Sequence, residues 1–109
     1  MLEGLFTSKT KEQILLYLTA RNEGYAREIA GYYNKSLSLV QKQLDNLEFG
    51  NIIVNKKSGR TIVYYFNPRY ALINELRSFL NKALEFLPEN EKERLLYIRR
   101  RPRRKGKPL

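Results

Sequence analysis

The sequence predicts a mainly α fold with one small β-hairpin. Three observations carry this. Apolar residues recur at helical spacing in several segments of the 109-residue chain. One stretch, IIVNKKSGRTIVYYF, places two β-branched and aromatic runs around a polar Lys57-Ser58-Gly59-Arg60 turn. The length fits a single domain, and 42% hydrophobic residues supply one small core.

The elements follow in order. A first helix is expected from about Ser8 to Leu18, with Ser8 or Thr10 as cap, Thr10 and Gln13 at capping-box spacing, and Ile14, Leu15 and Leu18 on one face. Leu5 and Phe6 precede it and are expected to pack on the same core. ARNEGY reads as a polar connector. A short second helix spans about Ala26 to Tyr33, with Ile29, Ala30 and Tyr33 inward. Asn34 follows where the chain must turn, and asparagine tolerates the left-handed conformation. Ser36 is a good N-cap for a third helix through about Gly50, on which Val40, Leu44 and Leu47 repeat at i, i+4, i+7. Gly50-Asn51 suits a positive-φ end. In the hairpin, Ile62, Tyr64 and Phe66 share one face, and Val63 and Tyr65 the other. Asn67-Pro68 reads as a cap and first position of a fourth helix reaching about Leu87, where Pro88 breaks it. A fifth, short helix from about Glu89 to Arg101 carries Leu95, Leu96 and Ile98. The organisation expected is a domain over 1–87, including the C-terminal helix 68–87, then a short helix and basic flexible tail over 88–109.

Composition narrows the function. The chain holds neither cysteine nor histidine, so disulfides, thiolate or imidazole metal ligands and the usual neutral-pH general base are excluded. Asp45 is the sole aspartate, the glutamates are scattered, and no glycine-rich phosphate loop accompanies them. No enzyme, cofactor or metal is expected. No apolar run approaches the roughly 18–20 residues of a membrane span, and the N-terminus lacks signal-peptide character, so a cytoplasmic location is expected. The net charge is +10, but residues 99–109 carry seven of the 21 basic residues and no acidic one. Residues 1–98 hold the other 14 against 11 acidic residues, a net of +3. A basic tail attracts polyanions, of which nucleic acid is the commonest.

Two short helices joined by a three- or four-residue turn, the second amphipathic, form a helix-turn-helix pattern. On the second of them Ser36, Ser38, Gln41 and Lys42 are candidates to face DNA. Gln and Lys supply donors matched to base-edge acceptors, glutamine best at adenine. Residues 36–50 nonetheless carry a net charge of −1, so phosphate affinity must come from elsewhere. Lys56, Lys57 and Arg60 near the hairpin tip, with no acidic neighbour in sequence, are the candidates for it. Arg27 and Lys35 are further backbone-contact candidates. Most tyrosines fall at core spacing, including Tyr17, Tyr33 and Tyr64, which argues against a single-strand stacking platform; Tyr32 and Tyr65 are the candidates for an exposed role. The fourth helix carries two apolar series. One runs through Ile73, Leu76, Leu80, Ala83 and Leu87; the other through Leu72, Leu76, Phe79, Ala83 and Phe86. Such a face is wide enough to cover its own core and meet a partner helix. The dimer interface is expected at Leu72, Ile73, Leu76, Phe79, Leu80, Ala83 and Leu87.

The order helix, helix, turn, helix, hairpin over residues 5–87 resembles the ArsR/MarR-like winged helix-turn-helix regulators. EIAGYYNKSLSLVQKQLDNLEFGNII is similar to their second and third helices and the entry to the wing, and RTIVYYFNP to their second wing strand. The resemblance implies a homodimeric, sequence-specific double-stranded DNA-binding regulator, a repressor by occupancy. Its third helix would enter the major groove while the wing touches backbone or minor groove. The chain departs from the pattern in having Leu37 and Leu39 where many members have small polar residues. It also lacks the cysteine and histidine ligands of the metal-sensing branch. The alternative is a winged-helix module binding protein or RNA, with a separately encoded nucleotidyltransferase as a candidate partner, since some relatives carry this domain ahead of one.

Overall fold

A computed structural model describes residues 2–100, except for the side chains of Glu3 and residues 98–100. Its elements are α1 (Glu3–Phe6), α2 (Lys9–Arg21), β1 (Glu23–Tyr25), α3 (Ala26–Tyr33), α4 (Leu37–Phe49), β2 (Ile53–Ser58), β3 (Thr61–Phe66), α5 (Ile73–Glu85) and α6 (Glu89–Arg100). The strands form one antiparallel sheet in the order β1-β3-β2. This is the mainly helical fold with a hairpin wing that the sequence predicts.

Helix α2 is the central element: α1, α3, α4, α5, α6 and β1 all pack against it. ILLYLTA at its centre is apolar or small almost all round, so the helix buries nearly its whole circumference rather than one stripe. Ser8 caps it, Oγ accepting from Lys11 N at 3.1 Å. Thr10 lies inside the helix and is buried, so the cap expected of it falls to Ser8 alone. The helix runs to Arg21, three residues beyond Leu18, and Asn22 at φ 74° closes it. Upstream, Leu2 and Phe6 of the α1 region reach the core, while Leu5 is exposed, contrary to expectation.

The connector expected over ARNEGY is half helix and half strand. Ala20 and Arg21 finish α2, and Glu23, Gly24 and Tyr25 pair with Tyr65, Tyr64 and Val63 of β3. Three residues are too few to show strand alternation. Gly24 has a steric reason for being glycine, because a Cβ there would lie 2.8 Å from Cε1 of Tyr17.

From α3 the chain turns at Asn34, in the left-handed region at φ 56°, and Lys35 N donates to Ala30 O at 2.9 Å. Ser36 caps α4, its Oγ accepting from Leu39 N at 3.2 Å. Val40, Leu44 and Leu47 are buried as their spacing predicts. At the far end the positive φ falls on Asn51, at 65°, and not on Gly50. The hairpin pairs Ile53 with Phe66 through Ser58 with Thr61, leaving a two-residue turn in which Gly59 takes φ 65°.

Helix α5 begins at Ile73, five residues later than Pro68. Asn67 caps no helix because the chain first makes turns over 68–72, with Tyr70 N donating to Asn67 O and Ile73 N to Tyr70 O. Asn67 Nδ2 donates to Asn51 O at 2.9 Å, tying the end of β3 to the end of α4, and Oδ1 accepts from Arg69 N at 3.0 Å in an Asx turn. Helix α6 then crosses α2, and Leu95 is fully buried in the same core. The joint is polar and aromatic. Arg21 Nε donates to Leu95 O at 2.9 Å and Arg94 donates to Tyr32 O at 3.2 Å. The Arg21 and Arg94 guanidinium groups lie 4.8 and 4.1 Å from the Tyr32 ring centre, and Tyr17, Tyr32 and Tyr33 meet edge to face. Burial pushes the phenols of all three above the usual tyrosine range. Tyr32 is thus committed to this joint, contrary to the exposed role considered for it. Among the described residues no helix is long and apolar enough to cross a membrane. The tail expected to be flexible falls on residues 101–109, outside those described.

Candidate nucleic-acid interface

The sheet sorts its side chains by parity. Ile53, Asn55, Lys57, Ile62, Tyr64 and Phe66 face the α4 side; Val54, Lys56, Val63 and Tyr65 face away. This sorting decides which wing residues share a surface with α4. A groove of about 570 Å³ runs between α4 and the wing, lined by Arg27 from the first turn of α3, Leu37 and Gln41 from α4, and Arg60, Ile62 and Tyr64 from the hairpin. Two guanidinium groups therefore flank a partly apolar channel beside the N-terminal half of α4.

Ser36, Ser38 and Lys42 are exposed on that half of the helix. Ser36 Oγ accepts from Leu39 N, which leaves its hydroxyl hydrogen to donate. Ser38, Lys42 and Asp45 fall at i, i+4, i+7 and form one solvent-facing stripe. Lys42 also borders a second hollow, with Lys11, Asp45, Asn46 and Phe49. Lys35 is half-buried in the turn.

Two candidates are placed differently from expectation. Lys56 is not a free cation of the wing tip: its Nζ lies 3.4 Å from the Glu23 carboxylate and 5.2 Å from the Tyr65 ring centre. Glu23 comes from β1, the strand absent from the sequence reading, so the pairing was invisible there. Lys57 and Arg60 remain exposed, with no carboxylate in ion-pair range among the described residues. Gln41 is half-buried, and its amide nitrogen donates to Asp45 Oδ1 at 2.9 Å and to Tyr64 Oη at 3.0 Å. The donors expected to meet a base edge are thus used within the protein. Tyr64 was expected only as packing; alternation places its ring inward, but only the fold brings its hydroxyl to α4. A further cross-link, Asn55 to Glu48, joins β2 to α4, so the wing and α4 are braced as one unit.

The residues expected at a dimer seam also divide. Leu80 and Ala83 are buried in their own core, as is Leu84, so the first two are corrected from interface to core residues. Ile73, Leu76 and Leu87 are partly buried against it. Leu72 (56%), Phe79 (41%) and Phe86 (70%) stay exposed at seven-residue spacing. The physical reason is that α2 needs a cover, and one of the two apolar series supplies it. Among the described residues there is no cluster of three or more potential metal ligands.

No family model matches the chain, and no curated protein matches it either. Solved structures do. YusO from Bacillus subtilis superposes with a TM-score of 0.58 at 23% identity, over 90% of this chain and 77% of that one. The adhesin competence repressor AdcR from Streptococcus pyogenes gives 0.55 at 18% identity, over 84% and 75%. A mutant form of Lactococcus lactis ZitR in complex with DNA gives 0.50 at 18% identity, over 84% and 69%. The architecture these comparisons share with the chain is the winged helix-turn-helix fold, with α3 and α4 as the helix-turn-helix and β2–β3 as the wing.

Proposed function

We propose that this chain is a sequence-specific, double-stranded DNA-binding transcription regulator that acts as a homodimer and represses by occupying its site. The observation that carries the reading is the braced α4–wing groove. It sets the exposed first half of α4 beside Arg27 and Arg60, where a helix in the major groove and a hairpin on the adjacent backbone would grip one duplex. The ZitR structure in complex with DNA supports it by analogy of fold.

In this reading Ser36, Ser38, Gln41 and Lys42 face base edges and nearby phosphates. Lys57, Arg60, Arg27 and Lys35 bind backbone, whereas Lys56, paired with Glu23 on the far face of the sheet, contributes little. The exposed series Leu72, Phe79 and Phe86 meets its symmetry mate, because a two-fold interface is self-complementary and an apolar stripe can pair with itself. The protein is a binder and carries out no catalytic step.

Selection from random duplexes tests this, with RNA competitor at physiological salt. Enrichment of a two-fold-symmetric sequence is expected. Retention of RNA with no duplex enrichment would transfer the groove to the alternative reading.

A further inference from the structure

Gln41 has two amide hydrogens, and both are placed. Its nitrogen lies 2.9 Å from Asp45 Oδ1 and 3.0 Å from Tyr64 Oη. A carboxylate only accepts, so the nitrogen end of the amide must face Asp45, which settles its orientation chemically. The carbonyl Oε1 accepts no hydrogen bond among the described residues, yet it is not buried away from solvent. Asp45 is itself exposed, one turn along the same helix. Gln41 Oε1 and the Asp45 carboxylate, joined by one hydrogen bond, therefore present acceptors together on α4.

Only two groups donate in the major groove of B-DNA: the N4 amino group of cytosine and the N6 amino group of adenine. We infer that α4 reads one of these exocyclic amino groups through Gln41 Oε1, assisted by Asp45, with Tyr64 as the positioning residue that holds the amide acceptor-outward. The inference rests on the duplex-binding reading above and deepens it. It also accounts for the net charge of −1 over residues 36–50. A helix that must approach amino groups benefits from acceptors, provided Arg27, Lys57 and Arg60 supply the attraction to phosphate.

The test starts from the duplex enriched with the full chain. Each cytosine and adenine is replaced in turn by N4-methylcytosine or N6-methyladenine. In the paired base the methyl group occupies the major-groove side, removing the donor hydrogen while preserving Watson–Crick pairing. One position per half-site should lose affinity roughly tenfold or more, the range of a good base contact. That sensitivity should vanish in Gln41→Ala. In Tyr64→Phe one amide hydrogen is released, so the same position should begin to tolerate bases presenting an acceptor, such as thymine or guanine. A purely structural role for Tyr64 would lower affinity without altering base preference. Enrichment of a duplex indifferent to both methylations overturns the inference and leaves the DNA reading standing. Failure to enrich any duplex overturns both.

Discussion

Helices α4 and α5 are each 13 residues long, and both pack a three-residue apolar core set against the central helix α2. Val40, Leu44 and Leu47 do this for α4; Leu80, Ala83 and Leu84 do it for α5. Their outer faces differ. That of α4 offers Ser38, Lys42 and Asp45, whereas that of α5 and its two flanking residues offers Leu72, Phe79 and Phe86. Inner faces this similar say only that each helix holds the fold. The outer faces separate the roles: a hydrogen-bonding surface suits a polar, information-bearing partner, and an exposed apolar stripe suits a surface like itself. Leu37, Leu39 and Phe49 interrupt the pattern as exposed apolar side chains of α4, Phe49 the most at 88%; Leu37 lines the groove beside the wing, and nothing in the structure explains the other two.

The largest effects should come from the inner faces, where the helices are alike. Leu44→Ala and Leu80→Ala each remove a fully buried side chain and should each cost about 2–5 kcal/mol in urea unfolding. A small loss for Leu80→Ala alone would mean that α5 is held by a partner rather than by α2, and the symmetry of the comparison would break.

The outer face of α5 comes next. Phe79→Ser combined with Phe86→Ser should weaken self-association at least tenfold, about 1.4 kcal/mol or more, while circular dichroism and the urea midpoint of the monomer stay near wild type. Sedimentation at tens of micromolar is the measurement. A wild-type chain already monomeric there would remove the dimer. For the outer face of α4, Lys42→Ala should cost about 1–3 kcal/mol on the preferred duplex if it reads a guanine, with little change on random DNA. Equal losses on both would make Lys42 a phosphate contact instead.

How much of this was legible in the sequence depends on the range of the signal. The caps Ser8 and Ser36, the turn at Asn34 and the buried Val40-Leu44-Leu47 set are local or periodic, and the sequence displays them. The late start of α5 was hidden because Asn67-Pro68 is locally a good helix opening. Only the fold shows that Asn67 is spent on Asn51 and an Asx turn. Likewise Ile73, Leu76, Leu80 and Ala83 announce an apolar face but not which half of it α2 takes. In the candidate interface, residue types and exposure were readable for Ser36, Ser38, Lys42, Lys57 and Arg60. The two misplacements, Lys56 and Gln41, both involve partners distant in sequence: Glu23 across the sheet and Tyr64 on the wing.

That distinction within the wing yields the smallest and most discriminating prediction. Lys56 and Lys57 are adjacent in sequence and equal in charge, yet alternation sends them to opposite faces of the sheet. Lys57 shares the α4 side with Tyr64 and has no acidic partner among the described residues; Lys56 lies against Glu23 and Tyr65. If the α4 side meets the duplex, Lys57→Ala should remove one phosphate contact and lower the log–log salt slope of binding by about 0.9. Preferred and random sequences should be affected alike, since a phosphate carries no base identity. Lys56→Ala should leave the slope nearly unchanged, because an exposed pair with Glu23 contributes little and faces away. Glu23→Gln is the control: freeing Lys56 should not restore the slope lost in Lys57→Ala. The measurement is affinity against salt for these single variants, the Glu23→Gln/Lys57→Ala double variant and wild type on both DNA classes. A slope that falls with Lys56 and not with Lys57 would place the duplex on the opposite face of the wing, away from the α4 groove.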